Sequence, residues 1–316
     1  MSRHAYCIIA HNDPYCLQTL VSLIDDERND IFLILDKKSR LPNFCRNKSR
    51  EKPPDYPPHP ELIDIQWGSL SLIQAELLSF KTALSHGEYE YIHLLSGQDL
   101  PLKTQDFIHR FFDSLKKGSN LVGFAQGEFN RQDLAYKTDY YHFFTGKFRY
   151  PIRYVRGVLN IYRDAMVSLQ KLVGFKRRWR IKLYKGCNWV SITPGFARYL
   201  IKNENAILKM FRRVPCADEI YKQTLIMASP YKDSVYSTAL DFAGMTRKID
   251  WERGYPYTWH RNDFDELVAS DALFARKFSS STDKDIIDRI SDYLINHGRE
   301  ETATDKDTCG LPQGRP

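Results

Sequence analysis

Ala5-Tyr6-Cys7-Ile8-Ile9-Ala10 is an apolar run that breaks at His11-Asn12-Asp13-Pro14, and Asp30-Ile31-Phe32-Leu33-Ile34-Leu35 is a second one, stopped by Asp36-Lys37-Lys38-Ser39. Between them Val21-Ser22-Leu23-Ile24 sits in a helical pattern. A strand with one wet face alternates polar and apolar; these do not, so strand, helix and strand read as the start of a parallel sheet covered on both faces. Tyr89 to Leu95 is a further such strand, ending in Ser96-Gly97-Gln98-Asp99-Leu100-Pro101-Leu102. Open α/β sheets hold ligands at the carboxyl ends of their strands. The loops at His11-Asn12, Asp36 to Ser39 and Ser96 to Asp99 are therefore expected to converge on one crevice.

Working outward, Arg50 to Pro60 carries five prolines and predicts an extended loop, followed by a short strand at Leu62-Ile63-Asp64-Ile65. Apolar spacing from Ser71 predicts a helix, with Ser69 or Ser71 as its cap. From about Gly127 to Lys185 the regularity is lost among Tyr, Phe, Arg and Lys, which suggests a long excursion over the sheet. Within it, Lys171 to Lys185 has seven cations and no acid. Asn188 to Ile192 reads as a strand, and Phe196 to Ile201, Ile220 to Met227 and Asp285 to Leu294 as helices. A polar tail from Glu301 is expected to be disordered. The organisation expected is one domain over residues 1–300, with the tail at 301–316, and no internal repeat.

The chain of 316 residues is long enough to bury a core without disulfides or a structural metal. Its charge of +7 suits any polyanion, so the placement of the cations has to decide. Six cysteines are scattered without C-x-x-C spacing, which argues against a zinc site and for a reducing compartment. The N-terminal apolar stretch is too short for a signal peptide and carries no cleavage site, and nothing approaches the ~18 apolar residues of a membrane span. A cytoplasmic protein, soluble or peripheral at the inner face of a membrane, is expected.

Tyr91-Ile92-His93-Leu94-Leu95-Ser96-Gly97-Gln98-Asp99-Leu100-Pro101-Leu102-Lys103, preceded by Gln74-Ala75-Glu76, resembles the core-2/I-branching β-1,6-N-acetylglucosaminyltransferases and the related peptide O-xylosyltransferases. The likeness continues through Lys185 to Ser191, Ala217-Asp218-Glu219, Arg247 to Trp251 and Leu273 to Phe278. Each block is short; their order over most of residues 5–280 is the specific feature. The resemblance implies an α/β, GT-A-like fold with a mixed, mostly parallel sheet flanked by helices. It also implies inverting transfer of a sugar, GlcNAc first among candidates and xylose next, from a UDP-sugar to a saccharide or lipid-linked saccharide acceptor. The cysteine-rich pattern of animal members is absent, which fits a bacterial-type member and leaves the acceptor site undefined.

Inverting transfer needs a carboxylate to take the proton of the attacking hydroxyl. By resemblance Glu219 falls on the family's catalytic glutamate, although Asp218 and Glu219 at a helix start would also suit its positive end. The leaving diphosphate needs a metal or fixed cations. The usual Asp-x-Asp position reads Ser96-Gly97-Gln98-Asp99, with a single acid, and Asp263-Phe264-Asp265 reads as a solvated helix face. Branching-type members are metal-independent and use an arginine and a lysine, which map onto Arg247 and Lys277 with Arg276 as a neighbour; no metal or other cofactor is expected. Lys277 between Phe274 and Phe278 could equally be a snorkelling lysine.

The resemblance puts base and ribose against Ile9, His11 and Asp36, and Ser96, Gly97 and Asp99 at the adjoining strand end. Asp36 either accepts from ribose or only terminates its strand; Trp189 either stacks on a sugar ring or fills the core. Lys171 to Lys185, with Phe175, Trp179 and Tyr184 interleaved, reads as a membrane-docking segment, a solvated loop or a holder of donor phosphates. The rival from another class is a non-catalytic module in which this segment binds an anionic lipid or nucleic acid; no nucleic-acid fold is spelled, so no nucleic acid is expected.

Overall fold

The computed structural model describes residues 2–39, 41, 61–238 and 243–308. The proline-rich loop, Cys45 and Cys309 lie outside the described residues. The strands are β1 (His4–Ala10), β2 (Asn29–Asp36), β3 (Glu61–Ile63), β4 (Tyr91–Ser96), β5 (Asp99–Pro101), β6 (Leu121–Phe124), β7 (Gly186–Ile192), β8 (Arg247–Ile249) and β9 (Phe274–Arg276). The helices are α1 (Pro14–Ile24), α2 (Leu70–His86), α3 (Gln105–Ser114), α4 (Glu128–Asp139), α5 (Arg153–Leu172), α6 (Pro194–Lys202), α7 (Glu204–Met210), α8 (Tyr221–Met227), α9 (Phe264–Val268) and α10 (Lys284–Thr308). They divide into two compact units, each assembled from separate stretches of chain: residues 1–12, 28–96 and 118–245 form the first, and 13–27, 97–117 and 246–316 the second.

The first unit is built on a six-stranded sheet in the order β3-β2-β1-β4-β7-β6. β1 pairs in parallel with β2 and β4, and β2 with β3; β7 is antiparallel to both β4 and β6. The unbroken apolar runs of β1, β2 and β4 are buried along nearly their whole length, as a sheet covered on both faces requires. α2 supplies one cover: Ile73, Leu77, Phe80 and Ala83 recur at helical spacing and pack with Ala5, Cys7, Phe32, Ile92 and Leu94. Ser69 caps it by accepting from the Ser71 N–H at 3.1 Å, and α6 starts on a Thr193 cap with Pro194 in its first turn.

Gly186 opens β7 where β6 shifts register between Val122 and Phe124. A Cβ there would lie 1.9 Å from the Gly123 carbonyl oxygen, so only glycine lets the two backbones meet.

The stretch read as irregular contains two helices, α4 and the 20-residue α5. α4 has no clear apolar period and buries only Thr138; α5 has one, but it turns that side outward and buries only Arg163 and Val167.

The second unit has a three-stranded sheet, β5-β9-β8, with β5 antiparallel and β8 parallel to β9. Asp13, whose carboxylate accepts from the Cys16 N–H, begins α1; α1 is in contact with α10, and Leu17, Leu20, Val21 and Ile24 of α1 and Ile286, Ile287, Ile290 and Leu294 of α10 are buried. α10 continues to Thr308, past the expected end of the fold, and residues 309–316 lie outside the described ones. Cys7, Cys16, Cys187 and Cys216 are buried thiols, not joined in disulfides. Among the described residues no helix is long and apolar enough to cross a membrane.

Candidate active site

In the first unit, strand order reverses at β1: β2 and β3 lie on one side, β4 on the other. The register sets Ile9 beside Ile34 and Ser96, so the carboxyl ends of β1, β2 and β4 reach one edge. His11, Asp36 and Ser96 thus share the edge where open sheets bind ligands. Ile9 packs against the core, and Ser96 is 4% exposed. Asp36 is engaged locally: its Oδ1 accepts from the N–H groups of Lys38 at 3.1 Å and Ile65 at 3.4 Å, and Lys38 reaches both Asp36 and Asp64. Trp189 is half-buried in β7, packed against the core cluster.

Glu219 ends a single 3₁₀ turn, Ala217–Glu219, immediately before α8. Cys216, at φ 48°, turns the chain into it, and its N–H bonds the Gly68 carbonyl at 3.0 Å. Gly68 itself sits at φ +78°, where a Cβ would also meet Phe148 at 2.8 Å. This clamp presents the Glu219 side chain 34% exposed, with Oε2 accepting from Lys137 Nζ at 2.9 Å. Lys137 also pairs with Asp133 at 2.7 Å, and Asp133 with Lys185 at 2.6 Å. Burial works against the Lys137 ammonium, but the charges of Glu219, Cys216 and Asp133 hold its pKa above the ordinary range.

Asp218, the next carboxylate, is in the opposite setting. Burial first, then the negative charges of Glu219 and Glu76, push it up to about 7. Behind it Lys222, fully buried, pairs with the equally buried Glu76 and donates to Asn188 Oδ1 at 2.8 Å and the Asp218 carbonyl at 3.1 Å. Tyr221 donates to Glu76 at 2.6 Å. Burial raises the Glu76 pKa despite these partners. The network ties α2, β7 and α8 together behind the turn that carries Glu219.

In the second unit the remaining candidates gather on the small sheet. Asp99 lies opposite Arg276 and receives its guanidinium at 2.5 Å, both side chains well shielded. Gln98 bonds the Phe278 carbonyl at 3.2 Å, and its own carbonyl accepts from the Phe278 N–H at 2.9 Å. The loop beginning at Gly97 and the strand end at Lys277 are thus stitched together. Arg247 is buried, its guanidinium 4.5 Å from the centroid of the Phe274 ring. Parallel register sets Arg247 against Phe274, which leaves Lys277 three residues further along, an offset of ~10 Å.

Asp263 is not on a solvated face. It is 9% exposed, accepts from the His260 N–H and pairs with Arg253 at 2.8 Å, so it caps a turn. Among the described residues no group of three or more His, Cys, Asp or Glu is arranged to hold a metal ion.

Sequence reasoning missed Lys137 and Asp133, which lie in the excursion and carry no motif. It also assigned no role to Glu76 and Lys222, whose pairing joins segments far apart in the chain. Of the basic segment, Arg177 stacks on Trp179 at 4.0 Å, Lys176 pairs with Asp139 at 2.9 Å and Lys185 serves the Glu219 surround. Arg178, Arg180 and Lys182 remain exposed.

A mostly parallel six-stranded sheet flanked by helices, with loops gathered at its strand ends, defines an α/β protein, and the family that it matches gives that fold as GT-A-like. Residues 4–274 match the Core-2/I-Branching enzyme family, and the chain belongs to that family. It is also similar to the beta-glucuronosyltransferase GlcAT14A of Arabidopsis thaliana, 23% identical over 220 residues that make up 67% of this chain and 44% of that protein. The chain thus spans less than half the length of that relative.

Proposed function

We propose that the chain is an inverting, metal-independent β-glycosyltransferase that moves a sugar from a UDP-sugar, UDP-GlcNAc first, to a hydroxyl of a saccharide acceptor in cell-surface polysaccharide or glycoconjugate synthesis. The observation that carries this reading is Glu219: a partly exposed carboxylate on a turn clamped by Gly68 and backed by a buried ionic network, in a chain of this family. Lys137 holds Oε2, so Oε1 is the oxygen offered to an acceptor. It takes the hydroxyl proton as the hydroxyl oxygen bonds the anomeric carbon; the bond from that carbon to the diphosphate breaks, and UDP leaves with the electron pair. A positioned base of this kind is worth ~10²–10⁴-fold. Arg247 and Lys277 offset the charge that develops on the diphosphate.

The Arabidopsis relative's name adds a second donor reading, a glucuronosyl donor, beside xylose. A donor screen tests both. UDP release is measured with UDP-GlcNAc, UDP-xylose and UDP-glucuronate, with and without EDTA. The expected result is turnover of UDP-GlcNAc that EDTA leaves intact. Release from another donor alone reassigns the sugar, loss under EDTA removes the metal-independent mechanism, and release from none contradicts the reading.

A further inference from the structure

α5 carries an apolar stripe on its outer side. Tyr154, Val158, Ile161, Ala165, Leu169 and Leu172 are all exposed, Ile161 at 71% and Leu172 at 83%. They recur at three- and four-residue spacing, which places them along one side of the helix over its whole length. The opposite side seats the helix in the first unit: Val167 is buried, and buried Arg163 lies 4.1 Å from the centroid of the Phe148 ring. Val173 and Phe175 prolong the exposed apolar surface beyond the helix end. A contiguous exposed patch of this kind marks an interaction surface.

Charge says what covers it. α5 exposes one acid, Asp164, against Arg153 and Lys171, and the following segment adds exposed Arg178, Arg180 and Lys182 with no acid. An apolar stripe beside unbalanced cations is complementary to a surface that is apolar beneath and anionic above. We propose that α5 and the segment through Lys182 lie in the interface of an anionic lipid membrane, parallel to its plane. The 20-residue helix is ~30 Å long, and its stripe sinks ~5–10 Å to the level of the upper acyl chains. The cations meet the headgroups. This inference stands apart from the chemistry at Glu219, because binding needs neither donor nor acceptor.

The test is flotation of the full chain with phosphatidylcholine vesicles made with and without phosphatidylglycerol, at low and high salt. The wild type is expected to float with phosphatidylglycerol vesicles at low salt, to be released by high salt, and to ignore phosphatidylcholine alone. Ile161→Glu should abolish flotation. Replacing Arg178, Arg180 and Lys182 by serine should weaken it by ~5-fold per charge. All four positions are exposed, so an unchanged melting temperature shows that each variant is folded. Absence of flotation at low salt, equal flotation with uncharged vesicles, or indifference to Ile161→Glu would overturn the proposal. So would a concentration-dependent dimer dissolved by Ile161→Glu in a protein that ignores vesicles, since the stripe would then be covered by a second copy.

Discussion

Asp218 and Glu219 are adjacent carboxylates that the turn separates into different environments. Glu219 reaches solvent and a lysine; Asp218 is turned inward, toward Glu76 and the Lys222 ammonium that offsets it. Neither Glu76 nor Lys222 could be replaced alone without stranding a buried charge, a loss of ~3–5 kcal/mol for such pairs. Asp218 has a pH signature. Its folded pKa, about 7, lies above its ordinary 3.8, so the folded state holds the extra proton in that window. Its contribution is present below the unfolded value and is lost as pH rises through the folded one. Asp218→Asn should therefore gain stability relative to the wild type between about pH 4 and pH 7, at ~1.4 kcal/mol per pH unit. Denaturant titrations of both proteins across that range check it; a stability difference independent of pH would refute the inward placement of this acid.

At the scale of elements, the turn depends on β7 staying where it is, since Asn188 on β7 holds Lys222. Gly186 is what lets β7 approach β6. Gly186→Ala would drive a methyl group into the Gly123 carbonyl, with Gln223 also in the way at 2.7 Å, and should cost about 3 kcal/mol or more. A fall in the urea midpoint measures this; a variant as stable as the wild type would mean that the β6–β7 contact is looser than described.

The long apolar strands β1, β2 and β4 were legible in the sequence because burial on both faces leaves an unbroken pattern. A serine cap for α2 was legible from residue type, with Ser69 and Ser71 both open; the structure uses Ser69. β5, β8 and β9 were not: three residues show no period, and their pairing joins residues 99–101 with 247–249 and 274–276. α5 does carry a helical period; that its apolar stripe faces outward while Arg163 and Val167 face in is what only the fold shows. Glu219, Arg247 and Lys277 were named through family likeness, whereas Lys137, Asp133 and the Glu76–Lys222 pair needed coordinates to bring distant segments together.

Across the whole molecule, the charge of +7 resolves into cations with different tasks. Arg276 is spent on Asp99, Lys137 and Lys185 on Asp133 and Glu219, and Arg177 on Trp179. The exposed cations after α5 are those proposed to meet a membrane, and Arg247 and Lys277 those proposed for a diphosphate. The chain reaches this division through two units that share it in alternating stretches, so family membership over residues 4–274 takes in segments of both. The central claim is that Glu219 is the base of a UDP-sugar glycosyltransferase. Its most direct test is the turnover of Glu219→Gln against the wild type on the donor selected by the screen, with UDP affinity measured in the same samples. The account predicts a fall of at least ~10²-fold in turnover with UDP affinity unchanged; a variant that transfers sugar at the wild-type rate would contradict it.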